Sequence, residues 1–118
     1  MPMTLRAKRY LLTTTFAVAA GLAVAIPAAG QDAAKGQQVY TAQKCQTCHS
    51  IAGKGGKTSP LDGVGAKLSA DDIKQWITHP KDAAAKAKST KKPPMPAKYA
   101  TLPAADLDAL VAYMQSLK

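Results

Sequence analysis

The chain has 118 residues, with 16 Lys or Arg against 7 acidic residues, a formal charge of +9 at pH 7, and only 2 Cys, 2 His and 1 Trp. That length holds one small domain and excludes a large enzyme with a deep pocket of its own. Apolar residues make up 47%, but 24 of the 118 residues are Ala, which bury little area, so the percentage overstates the core.

The N-terminus reads as an export signal. Arg6, Lys8 and Arg9 form a basic start, an apolar run follows from Tyr10 to Ile26, and Pro27-Ala28-Ala29-Gly30-Gln31 closes it with small residues. The expected cut follows Ala29 or Gly30. The alternative is a retained anchor, since Leu11 to Ala29 is just long enough to span a bilayer; Pro27 and the small residues favour processing. Removing residues 1–30 leaves 31–118 as one domain of 88 residues, with 13 Lys, 7 Asp, no Arg and a charge of +6. Between Val39 and Leu117 it has 18 larger apolar residues. So thin a core needs a disulfide, a metal or a bound cofactor to hold it together.

Three helices are expected. The first runs from about Ala33 to Ala42, with Asp32 as its cap and Val39 and Tyr40 as its bulk. Gly36 lies inside it, costing about 1 kcal/mol against Ala, and can let another helix approach closely. The second runs from about Ala70 to Thr78: Ser69 and Asp72 form a capping pair, Ile73, Trp76 and Ile77 share one face, and Pro80 ends it. The third runs from about Pro103 to Leu117, with Leu107, Leu110, Val111, Met114 and Leu117 as a stripe and Pro103 in its first turn. Gly53 to Gly65 and Lys81 to Lys98 read as loops, the latter rich in Lys and Pro. No stretch alternates with a strand's period. The expected fold class is all-α, with long loops.

Cys45-Gln46-Thr47-Cys48-His49 is a C-x-x-C-H motif, the signature of covalent haem c attachment. Two thiols three positions apart reach the two neighbouring vinyl groups from one turn of chain, and the following histidine is carried to the iron. A Cys45–Cys48 disulfide is the first alternative, in an oxidising compartment. A thioredoxin-like pair wants a βαβ setting that this chain lacks, and a zinc site wants four ligands, for which only Cys45, Cys48, His49 and His79 are on offer. The export signal and the thin core favour haem.

Candidates for the iron's second face are Met95, Met114 and His79. Met114 lies on the apolar stripe, where packing explains it, and His79 sits before Pro80 at an expected helix end, facing solvent. Met95 lies in Pro93-Pro94-Met95-Pro96, where prolines stiffen the backbone around a soft thioether sulfur suited to iron.

With these residues in place the chain resembles a class I c-type cytochrome of the small bacterial group, from about Ala33 to Leu117. Beyond the haem motif, Ser59-Pro60-Leu61-Asp62-Gly63-Val64-Gly65 matches the family's proline loop. The resemblance implies that the Pro60 carbonyl accepts a hydrogen bond from the other ring nitrogen of His49. It implies that Gly36 and Tyr40 cross Leu110 and Tyr113 where the terminal helices meet, that Trp76 lies near the methionine ligand on a helix over the haem, and that Met95 is the axial methionine. The stretch from Pro80 to Met95 departs from the family in length and in its Ala and Lys content.

The resemblance implies a periplasmic one-electron carrier, not an enzyme, with no small-molecule substrate. Exposed lysines are expected to steer it onto acidic redox-partner proteins, unless they form only a solvated face. Lys without Arg or interleaved aromatics is a poor reader of nucleic acid, and contact with the membrane is expected only if the signal segment is retained. The alternatives are a dedicated electron-transfer subunit of a periplasmic dehydrogenase or oxidase system, and a ligand-binding haem sensor in which Met95 is off the iron.

Overall fold

A computed structural model describes residues 21–23 and 28–118; most of the expected export signal lies outside them. Five helices, two 3-10 turns and one small hairpin follow in chain order. Among the described residues no helix is long and apolar enough to cross a membrane.

The first helix, α1, spans Ala28–Ala42, five residues longer at its start than expected. Asp32 therefore lies inside it and does not cap it; helix-favouring residues carry the turn back past that position. The last helix, α5, spans Ala104–Ser116 and buries Leu107, Ala109, Leu110, Val111 and Met114. The two helices cross at Gly36. A Cβ there would collide with the Ala109 carbonyl oxygen and stand 2.6 Å from the Tyr113 Cβ. Beside the crossing, the Tyr40 and Tyr113 rings meet edge to face, with centroids 5.8 Å apart at 69°. Lys35 and Asp106 pair at 3.1 Å on its exposed flank, a contact worth little to stability.

Helix α3 spans Ala70–Thr78, as expected. The Asp72 N–H donates to the Ser69 hydroxyl at 3.1 Å, and that hydroxyl donates to the Asp72 carboxylate at 2.8 Å. A cap of this kind stabilises a helix by about 1 kcal/mol. The Ser69 hydroxyl, and then Lys86, hold the Asp72 carboxyl below the usual carboxylate range. Ile73 and Ile77 enter the core, where they join Val39, Tyr40, Tyr99, Leu107, Leu110, Val111 and Met114.

Two short helices occupy stretches expected to be loop. Helix α2, Val64–Lys67, starts after Gly63 at φ 73°. Tertiary bonds hold it: Gly65 N–H donates to the Leu117 carbonyl at 2.7 Å, and Lys118 Nζ to the Gly65 carbonyl at 3.0 Å. Helix α4, Pro80–Lys86, begins two residues after α3 stops. Pro80 does end α3, but its fixed φ also suits the first position of a new helix. Asp82 in the first turn and Lys86 in the last complement the helix dipole.

The fold is all-α as expected, with one small hairpin between the helices. Strands β1, Ser50–Ile51, and β2, Lys54–Gly55, pair Ser50 with Gly55 and Ile51 with Lys54. Two-residue strands are too short to show an alternating pattern. Their connection is Ala52-Gly53, with φ 51° and 77°, the two positive values of a type I′ turn. For Ala52, which has a Cβ, the left-handed region costs about 1–2 kcal/mol.

Candidate functional site

The C-x-x-C-H motif follows α1 directly. Lys44 turns the chain at φ 57°, and Cys45–Thr47 forms a 3-10 turn. Cys48 and His49 N–H groups both bond back to the Cys45 carbonyl, at 3.3 and 3.1 Å. The two thiols and the imidazole thus belong to one turn, as their spacing implied. Both thiols are unbonded and half-buried. Burial is the largest influence on Cys45 and pushes its thiol up, against a smaller opposing effect of its backbone hydrogen bond and Lys98. A neutral thiol is a poor match for a thioredoxin-like nucleophile, which is lowered.

His49 is held at ring and backbone. Its Nδ1 lies 2.8 Å from the Ser59 carbonyl oxygen. A carbonyl can only accept, so Nδ1 carries the proton and Nε2 keeps its lone pair for a metal. The Tyr40 hydroxyl donates to the His49 carbonyl at 3.2 Å. Burial, then the nearby Cys45 and Tyr113, push Tyr40 up to about 12, so it remains a neutral donor across the physiological range.

The carbonyl facing His49 belongs to Ser59, which corrects the expected role of Pro60. Ser59 N–H donates to the Cys48 carbonyl at 3.2 Å, and Leu61 N–H to the Ser50 carbonyl at 2.9 Å. Ser59 turns both its groups to the motif, its N–H to the Cys48 carbonyl and its carbonyl to the His49 ring. Pro60 still contributes, because a residue preceding proline is pushed toward extended geometry.

The glycine-rich hairpin closes on the motif from the far side. Gly56 N–H donates to the Gln46 carbonyl at 2.8 Å. A Cβ on Gly56 would collide with the Thr47 carbonyl oxygen and stand 2.8 Å from the Cys48 Cα. Sequence reading had these glycines only as turn residues.

Met95 is the one residue between Lys86 and Lys98 that is not exposed. It packs against the same apolar cluster as Cys45, with Ile51, Leu61, Leu68 and Leu102. Met114 lies in the core of that cluster at 5% exposure, a packing residue. His79 is exposed, with Nδ1 2.8 Å from the Thr78 hydroxyl. Trp76 is half-buried between Ile73 and Ile77 and stands outside the buried cluster.

These residues fit a haem. Two unbonded thiols and an imidazole with a fixed tautomer share one turn, and a thioether from a distant loop packs on the same apolar cluster. Among the described residues, no large side chain is less than 2% exposed, so the protein's own groups do not seal that cluster. Gln46 Oε1, within the motif, is buried with no hydrogen-bond partner, an orphaned polar atom at the same place.

A family model described as Cytochrome c matches residues 33–118. No curated protein and no solved structure matched the chain.

Proposed function

The chain belongs to the cytochrome c family of haem-binding electron-transfer proteins, which are not enzymes, and on that premise we propose a carrier with His49 and Met95 as axial ligands, working outside the cytoplasmic membrane. Covalent haem c, bound through Cys45 and Cys48, supplies one-electron cycling between ferric and ferrous iron. The protein's residues do the rest. His49 presents Nε2, its ring aligned by the Ser59 carbonyl and its backbone by Tyr40. Met95 would present a thioether sulfur from a loop that prolines stiffen, and the cluster around Val39, Ile73, Ile77 and Leu110 would give the haem an apolar face to pack on.

The observation that carries this reading is the His49 contact. A donor Nδ1 bound to a backbone carbonyl leaves Nε2 free to hold a metal, one residue from the second thiol. The basic, apolar and small-residue order of residues 1–30 supports export.

The visible spectrum tests the ligand set. The purified protein is expected to show a c-type haemochrome, with the weak far-red band of ferric iron bound by sulfur. Met95→Ala should lose that band and let the ferrous protein bind carbon monoxide. A Met95→Ala protein that keeps the band overturns the assignment.

Lys81, Lys86, Lys88, Lys91, Lys92 and Lys98 are all exposed, and among the described residues only Lys86 of these six forms an ion pair, with Asp72 at 3.4 Å. Acidic protein partners would be steered toward these lysines. Electron transfer to an acidic partner should slow several-fold between about 0.01 and 0.2 M salt, as screening shortens from about 30 Å to under 10 Å. A flat response removes the docking role.

A further inference from the structure

We propose that Asp62 is a positioning residue for the axial histidine: its carboxylate ties the Ser59–Asp62 segment to the hairpin and so fixes the carbonyl that aligns His49. The inference rests on His49 being the iron ligand.

Ala52 N–H donates to Asp62 Oδ1 at 2.7 Å. Ala52 lies in the left-handed region at φ 51°, which a residue with a Cβ rarely adopts. The carboxylate is the partner that its exposed N–H has in that conformation. Asp62 ends a short ladder. Ser59 N–H meets the Cys48 carbonyl, Leu61 N–H meets the Ser50 carbonyl, and the Asp62 side chain meets Ala52 N–H. The first two rungs are backbone bonds, which any residue could make. The third depends on the side chain, and it holds the far end of the segment.

The Ser59 carbonyl lies within this ladder and accepts from His49 Nδ1. With the ladder intact, the carbonyl stays at 2.8 Å and keeps the imidazole strongly electron-donating, which favours ferric iron. With the last rung lost, the segment from Ser59 to Asp62 is tethered by backbone alone. The carbonyl drifts from the ring, the ligand donates less, and the ferrous state gains. Gly56 N–H on the Gln46 carbonyl fastens the other side of the same hairpin to the motif, so Asp62 and the motif hold the hairpin from opposite ends.

The test uses the full haem-loaded chain and follows two quantities: the reduction potential, and the exchange rate of the His49 Nδ1 proton by NMR. Asp62→Ala should raise the potential, shift the ferrous-to-ferric ratio several-fold at fixed applied potential, and speed Nδ1 proton exchange at least ten-fold. Asp62→Asn keeps an oxygen acceptor and should stay at the wild-type values. Adding Ala52→Asn to Asp62→Ala relieves the strained turn, since Asn tolerates positive φ. It should restore the unfolding midpoint and leave the potential raised.

Wild-type potential and exchange in Asp62→Ala overturn the inference. So does a potential restored by Ala52→Asn, which would make Asp62 a support of the turn alone. If Asp62→Ala fails to fold, the unmutated protein decides. Its Ala52 amide, on an exposed residue, should exchange slowly, and exchange at the free-chain rate overturns the inference. A wild-type protein with no covalently bound haem overturns the haem reading itself, a different result from any of these.

Discussion

Serine at both Cys45 and Cys48 is expected to abolish covalent haem attachment while leaving the local turn sterically intact. The two thiols stand three positions apart on one 3-10 turn, unbonded, and a hydroxyl does not add to a vinyl group as a thiol does. After denaturing electrophoresis, the wild-type band should carry peroxidase-active haem and the double variant none. Each single variant should keep one thioether and a reduced signal. Haem retained by the double variant in denaturant would remove both cysteines from the attachment. The same substitution should lower helix content and the unfolding midpoint, because a domain with 18 larger apolar residues between Val39 and Leu117 depends on a bound group to complete its core. That second readout links the chemistry of the motif to the stability of the fold.

The second large effect is expected at the crossing of α1 and α5. Gly36→Ala places a methyl group against the Ala109 carbonyl, 2.6 Å from the Ala109 carbonyl carbon and 2.6 Å from the Tyr113 Cβ. Two of those neighbours are backbone, so no rotamer change relieves the clash and the helices must separate. Separation opens the Tyr40–Tyr113 edge contact and loosens the packing of Leu110 and Val111. Overpacking of this kind destabilises by about 3 kcal/mol. In a domain this small that lowers Tm by roughly 12–24 °C. Gly36→Val should be worse, leaving little folded protein. Thermal unfolding by circular dichroism checks both, and a Gly36→Ala protein that melts with the wild type would show that the helices do not cross so closely. Tyr40 adds a functional consequence. Its hydroxyl supports the His49 carbonyl, so movement of α1 is transmitted to the haem motif.

Much of the chemistry was legible because it is local. Cys45, Cys48 and His49 fall within one turn of chain, so their spacing alone brings them together. Helices α3 and α5 were legible for the same reason: Ile73 and Ile77, and Leu107, Leu110, Val111 and Met114, repeat with the helix period, and Ser69 marks where α3 begins. The crossing of Gly36 with Tyr113 was implied by the family resemblance, since an interior glycine by itself names no partner.

What the sequence left open depends on pairings between distant backbone segments. Pro60 was the expected partner of His49, and the structure turned the preceding Ser59 carbonyl to it. A one-residue difference in register exchanges the two faces of an extended chain, and no local pattern fixes that register. The same holds for the Ala52–Asp62 bond, for the two-residue strands, and for α2, which is anchored by Leu117 and Lys118 from the far end of the chain. Helix α4 escaped because Pro80 reads equally well as an end or a start. The sequence by itself thus determined that this chain binds haem, because the Cys45-Gln46-Thr47-Cys48-His49 attachment motif is written within five consecutive residues. Tertiary structure alone decided how that histidine is oriented, because the carbonyl that orients it reaches the site through hydrogen bonds between segments about ten residues apart.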